Sequence, residues 1–427
     1  MAGLSAADTL RAAGRSVLLI ESAPMVGGLA RAIRVGGEPI EPYYHHIFPQ
    51  DTETAALVDV LRMNDHLEWW PAPMAVMHEG HAYPFNSPLD LLRFAPLSPF
   101  QRVRLGAGTS LTLIRRDHAR LDRTPVGAGG PALFGATGYA TLWQPLFEAK
   151  FGPYAERVPM AWLAARIRQR GGGRRATGDR LGYLRGSLGS LAEAYAAQVA
   201  ASGVDLRTST RVLSLTQEDG DWVVAVEGAN GREELRARSV VACLSGPILS
   251  RLIALPAPYA AAIDAIPYRG IVCVLLELRQ ALSPYYWVNV TDRLGLGCVG
   301  IIEHTNFVPP DRYGGRSLVY LAHYVDCSSP TWLATVDEIV GAVVPAMHVL
   351  NPAFQPNWIV DAHLNRDPFA QPVPQVGGPM SSLPMETGLS GLIHASLAHV
   401  YPDDRGVSKA LGLGRGAAAL AVQHLGR

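Results

Sequence analysis

The spacing of apolar residues changes along the chain, and each change marks an element. An amphipathic run ending at Ala13 and Gly14 predicts a short helix, and Val17-Leu18-Leu19-Ile20 then predicts a buried strand closing at Glu21. Ile33-Arg34-Val35 before Gly36-Gly37 predicts a strand and turn, and Leu57, Val60 and Leu61 share one face of a helix predicted over 51–63. Short strands are predicted at 67–70, 75–77 and 81–83, with a turn at Glu79-Gly80. Residues 88–120 read as helical and apolar, and Gly127–Gly138 reads as a glycine-rich linker. A helix from Leu142 is closed by Gly152, and another runs over 188–202. Strands follow at 204–207 and 210–215, then at 222–226 after the hairpin turn Asp219-Gly220-Asp221, with a second turn at Asn230-Gly231. Val240-Val241-Ala242-Cys243-Leu244 is continuously apolar, the type buried in a parallel sheet. Residues 266–325 are strand-rich and predict one antiparallel sheet; helices are predicted over 336–349 and 408–425.

Composition narrows the classes. A chain of 427 residues allows two or three domains. With 37 basic and 37 acidic residues, there is no electrostatic argument for a nucleic-acid partner. Cys243, Cys273, Cys298 and Cys327 form no C-x-x-C pair and are expected as buried reduced thiols in a cytosolic protein. No basic-then-apolar leader precedes the first helix, and no run of 18 apolar residues occurs. The apolar stretch 88–120 is interleaved with Arg93, Arg102, Arg104, Arg115 and Arg116. Peripheral contact with a membrane surface is open to it, but an outer helical layer with solvated arginines is the preferred reading.

Candidate chemistry begins at the start of the chain. The order of small-residue helix, Gly14, apolar strand, Glu21 and Gly27-Gly28 matches most of a dinucleotide-binding βαβ unit. In such a unit a glycine turn admits the pyrophosphate to a helix N-terminus, and an acid at the second strand's end accepts the ribose hydroxyls. With Gly3 as the third glycine of G-x-G-x-x-G, the first two glycines and their strand fall upstream of Met1. The expectation is that the reading begins at an internal methionine, and that a chain truly starting here retains its dinucleotide cofactor weakly. Pro42-Tyr43-Tyr44-His45-His46-Ile47-Phe48-Pro49 is dense in rings, which either wall a flat ligand or pack a core. Arg166, Arg168, Arg170, Arg174, Arg175, Arg180 and Arg185 cluster around Gly171-Gly172-Gly173 as a predicted flexible loop. That loop either holds substrate phosphate or carboxylate groups or is simply solvated.

These pieces, with Gly182-Tyr183, Gly186, Gly189, the strand Thr210–Leu215 and the tail Tyr401-Pro402-Asp403-Asp404-Arg405-Gly406, resemble the flavin-containing amine oxidase and protoporphyrinogen oxidase-like superfamily of FAD-dependent oxidoreductases. Gly412, Gly414 and Gly416 in the last helix complete the likeness. The resemblance implies an α/β fold: a doubly wound, Rossmann-like FAD domain with an inserted α+β substrate domain carrying an antiparallel sheet. The implied division is 1–50, 181–250 and 386–427 for FAD, and 51–180 and 251–385 for substrate. It implies that Gly3 faces the pyrophosphate, Glu21 holds the adenosine ribose, and Gly27, Gly28, Leu29, Ala30 and Arg31 run beside the pyrophosphate. Val212 would present its backbone to the adenine, Asp404 and Arg405 would sit near the ribityl and pyrophosphate groups, and the helix from Ser408 would point at the flavin's pyrimidine edge. His46-Ile47-Phe48 is similar to the His-x-Phe segment of UDP-galactopyranose mutases, which implies His46 at the flavin face; Lys150 is a second candidate near flavin N5. The implied function is hydride transfer from a small-molecule substrate to FAD. A non-redox nucleotide-sugar mutase and a degenerate, inactive flavoprotein fold stand as alternatives.

Overall fold

One large sheet sets the position of the other layers. In the computed structural model, which describes residues 1–114, 117–171, 180–291 and 298–426, its seven strands follow the order Ile359–Pro372, Tyr268–Leu278, Ser317–Val325, Cys298–Glu303, Trp287–Val290, Met74–His78 and His81–Pro84. The centre is antiparallel as expected, but Trp287–Val290 runs parallel to Met74–His78. Parallel neighbours require a long crossover, and here a whole helical layer lies between the two strands in sequence.

Side-chain alternation divides this sheet between two cores. Ile271, Cys273 and Leu275 join Leu318, Tyr320 and Tyr324 on one face, together with Tyr43 and Phe48. Val272, Val274 and Leu276 join Val319 and Leu321 on the other, covered by Ile339, Val343, Ala346 and Met347 of the helix Val336–Leu350. That helix starts at a capping box in which the Thr335 and Glu338 side chains each bond the other's backbone N–H. The first face, free of that cover, becomes a wall of the main cavity.

The expected α/β cofactor fold is present. Leu18–Ile20 pairs in parallel with Asp205–Arg207, and Val240–Ala242 with Leu392–His394. These are two separate ladders among the described residues. Arg211–Glu218, Asp221–Gly228 and Gly231–Ala237 form an antiparallel meander, and positive φ at Asp219 and Gly220 makes its first turn. The opening helix Ala2–Ala12 lies against the final helix Val407–Leu425 at Gly414, where an added Cβ would overlap the Ala2 carbonyl oxygen.

Two expectations are corrected in the helical layer. Gly127–Gly138 is no linker: Val126–Phe134 and Ala136–Gly138 are helical and lead into Tyr139–Trp143. The glycines serve close packing, since an added Cβ at Gly129 would meet Met160 Cγ at 2.6 Å and one at Gly130 would overlap the Tyr139 ring. Arg166, Arg168 and Arg170 are not on a loop but on the helix Met160–Gly171, and Arg180 opens the strand Arg180–Leu184. Gly172, Gly173, Arg174 and Arg175 lie outside the described residues, as do Arg115 and Arg116.

The outer layer places Phe100, Val103 and Ile114 of the helix Pro99–Ile114 at 74%, 61% and 74% exposure. All four cysteines are free; Cys273 and Cys298 are buried, but Cys243 is half-buried and Cys327 exposed, which corrects the expectation that every one is buried. Among the described residues, no helix is long and apolar enough to cross a membrane.

Candidate functional site

A cavity of about 690 Å³ opens between the parallel ladders, the ring-rich segment 43–48, the helices Gln144–Phe151 and Met160–Gly171, and the uncovered sheet face. At one end stand Met1, Ala2, Glu21 and the turn Gly27–Arg31. Glu21 ends its strand with Oε1 accepting the Ala23 N–H at 2.9 Å. Gly27 and Gly28 have φ of 109° and 60°, a backbone that other residues adopt only with strain, and the Arg31 guanidinium donates to the Gly28 carbonyl at 3.2 Å. The final helix begins at Gly406 with no side-chain cap, and Gly406, Val407 and Ala410 line the cavity. Its first N–H groups therefore face the cavity with the positive end of the helix dipole.

A buried ionic cluster lies midway. Asp404 accepts from Lys150 Nζ at 2.9 Å, with Arg166 at 3.8 Å. Arg405 donates to Gln371 at 2.5 Å and to the Tyr324 hydroxyl, which lies 3.1 Å from Tyr44. Burial alone would raise the Asp404 carboxyl, but Lys150, Arg166 and Arg405 hold it well below the usual carboxylate range. Burial lowers the Lys150 ammonium, against the pull of Asp404. Lys150 also sits 4.8 Å over the Trp162 ring.

The far end surrounds His46. Its Nδ1 is 3.0 Å from the Tyr286 hydroxyl, and its ring meets Phe48 edge-on at 4.7 Å. Burial first, then Arg170, Arg166 and His45, drive its pKa well below the ordinary value, so the ring is neutral. Trp162, Arg166 and Arg170 recur every four residues along one helix, which turns all three into the cavity. Arg166 then lies 5.7 Å over Phe48, and Arg170 lies 5.7 Å over Trp287.

Most of the site residues expected from the sequence therefore share one cleft: Glu21, Gly27, Gly28, Leu29, Ala30, Arg31, His46, Lys150, Asp404 and Arg405 all line it. Gly3, Val212 and Ser408 do not. An added Cβ on Gly3 would meet Leu19 Cδ1 at 3.3 Å, so this glycine serves helix–strand packing. Val212 pairs with Val226 inside the meander, and Ser408 Oγ accepts the Thr54 N–H at 3.0 Å. Tyr324 and Trp287 escaped the sequence reading, because they reach the cavity from strands far apart in the chain and carry no local motif. Arg166 and Arg170 were seen, but were assigned to a loop.

The model of flavin-containing amine oxidoreductases matches residues 1–396. The chain belongs to that family. Its fold is similar to a provisional protoporphyrinogen oxidase from Exiguobacterium sp. 255-15, at 17% identity and a TM-score of 0.76 over 100% of this chain and 97% of that one. It is also similar to cyclohexylamine oxidase from Brevibacterium oxydans IH-35A, at 18% identity and 0.75 over 100% and 97% of the two chains. Reduced UDP-galactopyranose mutase follows at 14% identity and 0.74, over 98% and 93%. No curated protein sequence matches the chain significantly.

As a flavin-containing amine oxidoreductase the protein is an FAD-dependent enzyme. Its residues fit that cofactor. The cavity joins a strand-end acid, a positive-φ glycine turn and an uncapped helix N-terminus. Ser245 Oγ, buried and without a hydrogen-bond partner among the described residues, lines it as well.

Proposed function

We propose that the enzyme oxidises a small organic molecule by hydride transfer to its flavin, in the part of the cavity bounded by His46, Lys150 and Trp287. The observation that carries this reading is that Glu21 and Arg405, 384 positions apart, line one cleft with the start of the final helix. Bound FAD supplies the hydride acceptor. Glu21 would hold the adenosine ribose, and Gly27–Arg31 would flank the pyrophosphate, Arg31 offsetting its charge. The N–H groups after Gly406 would favour negative charge on the ring, and Arg405 with Asp404 would fix the segment leading into that helix. His46, kept neutral, can take a proton from substrate as hydride leaves. Lys150, anchored on Asp404, orients polar groups beside it.

The same reading divides the chain into cofactor segments 1–50, 181–250 and 386–427 and substrate segments 51–180 and 251–385. The parallel ladders fall in the first set and the seven-stranded sheet in the second, which supports that division. Four free thiols support a reducing, cytoplasmic setting. The exposed Phe100, Val103 and Ile114 support transient contact of the outer helix with a lipid surface.

The test is anaerobic: the purified protein is mixed with amine, alcohol and acid panels while the flavin absorbance is followed. A true substrate bleaches it. Glu21→Gln is expected to weaken flavin retention about tenfold or more, from lost charge-assisted bonds. His46→Gln is expected to slow bleaching about 100-fold with flavin content unchanged. Turnover that requires reduced flavin yet consumes no reductant would replace this reading with an isomerase.

A further inference from the structure

We propose that Glu277, Asp361 and His363 form a binding site for a divalent metal ion of the zinc type. The site stands apart from the flavin cavity and ties the edge strand of the large sheet to its neighbour.

Strand register assembles the three side chains. Ile359–Pro372 is an edge strand of the sheet and pairs antiparallel with Tyr268–Leu278, setting Asp361 opposite Glu277 and His363 opposite Leu275. Residues two apart on a strand share a face, and so do directly opposed residues on paired strands. All three side chains therefore leave the sheet on one side, that of Ile271, Cys273 and Leu275. Glu277 lies six positions beyond Ile271, ~20 Å along the strand. Ile271 lines the cavity, and Glu277, Asp361 and His363 do not. Toward the cavity end of the edge strand, Asp367, Phe369 and Ala370 form part of the cavity wall, so an ion at this site would hold the strand that carries them.

The donor set matches a transition metal. One ligand atom from each residue, the imidazole nitrogen and one oxygen of each carboxylate, falls within 4.8 Å of the other two. His363 Nε2 is 2.9 Å from Glu277 Oε1 and 3.7 Å from Asp361 Oδ2. Ligands bonded at about 2.1 Å to a tetrahedral zinc ion lie ~3.4 Å from one another, between those two spacings. Asp361 Oδ1 accepts the Ala362 N–H at 2.8 Å, and Oδ2 is the oxygen nearer the imidazole. Glu277 is 8% exposed, and among the described residues no lysine or arginine pairs with it or with Asp361. One imidazole is set against two carboxylates, and a buried carboxylate is costly unless its charge is balanced. A divalent cation balances both, with His363 offering its Nε2 lone pair while the ring proton sits on Nδ1. One nitrogen and two carboxylate oxygens suit zinc, with water in the fourth position on the exposed Asp361 side; magnesium and calcium favour all-oxygen sets of higher number.

The experiment uses the untagged, flavin-loaded protein, stripped with a chelator and titrated with zinc chloride by calorimetry, with magnesium chloride as control. One zinc ion per chain is expected, with Kd raised about tenfold or more in His363→Gln and in Asp361→Asn. Both substituted side chains reach solvent, and the flavin-to-protein ratio should stay unchanged. Zinc at about 100 times its Kd should raise Tm by about 3 °C in the wild type and not in the variants. No zinc uptake by the wild type overturns the proposal. Equal zinc affinity in the wild type and both variants also overturns it and marks the binding as adventitious. Magnesium binding as tightly as zinc overturns the assignment to a transition metal. None of these results bears on the flavin reading, which is tested by flavin content and bleaching.

Discussion

Replacing Glu41 by glutamine isolates one buried carboxyl and reads it through pH. Glu41 is 0% exposed; its Oε2 accepts the Tyr183 hydroxyl at 2.6 Å and its Oε1 the Leu188 N–H at 2.5 Å. Burial pushes its pKa from 4.5 up to about 7, against the lowering pull of those two bonds. The folded state therefore favours the protonated form. The stability this lends is complete below 4.5 and is lost as pH rises through about 7. At about 1.4 kcal/mol per pH unit, the whole span is on the order of 3 kcal/mol, most of it between about pH 5 and about pH 8. Unfolding entropy of about 2 cal/mol/K per residue gives on the order of 0.9 kcal/mol/K for this chain, so Tm should move by about 3 °C. Glutamine has the same shape, keeps an oxygen for Leu188 and does not titrate. Thermal melts of both proteins across that range are expected to diverge by about 3 °C, the wild type losing more on the alkaline side. All other groups are common to the two proteins and cancel in the difference. Parallel curves would refute the reasoning: they would mean that the N-terminus of the helix Ser187–Ala201 keeps the carboxylate ionised against burial.

Two further substitutions test the scaffold of the site. Asp404→Asn strands the buried Lys150 ammonium and is expected to cost about 3–5 kcal/mol, seen as a lower Tm. Lys150→Met with Asp404→Asn should recover part of that loss; equal damage in both proteins would deny the coupling. Gly414→Ala drives a methyl into the Ala2 carbonyl, where backbone opposes backbone, and is expected to cost about 1–3 kcal/mol and lower the flavin-to-protein ratio. An unchanged melt and flavin content would show that the two helices separate without penalty.

The sequence by itself determined the local elements and the cofactor end of the site. The strand ending at Glu21, the positive-φ pair Gly27-Gly28 and the final helix are written in contiguous residues, where period, caps and glycines act over a few positions. His46 and Lys150 were legible as candidates because a short motif or a nearby helix end flagged them. Glycines between 127 and 138 misled, since a glycine that permits contact and one that permits flexing look the same until Met160 and Tyr139 are seen against them. Only the tertiary structure brought Tyr44, Tyr324 and Gln371 to Arg405, buried Glu41 under Tyr183, and turned Arg166 and Arg170 inward on a helix. Those relations depend on segments between 34 and 280 positions apart in the chain meeting in space. Burial and charge at a point in space are sums over such neighbours, and no single stretch of chain contains them.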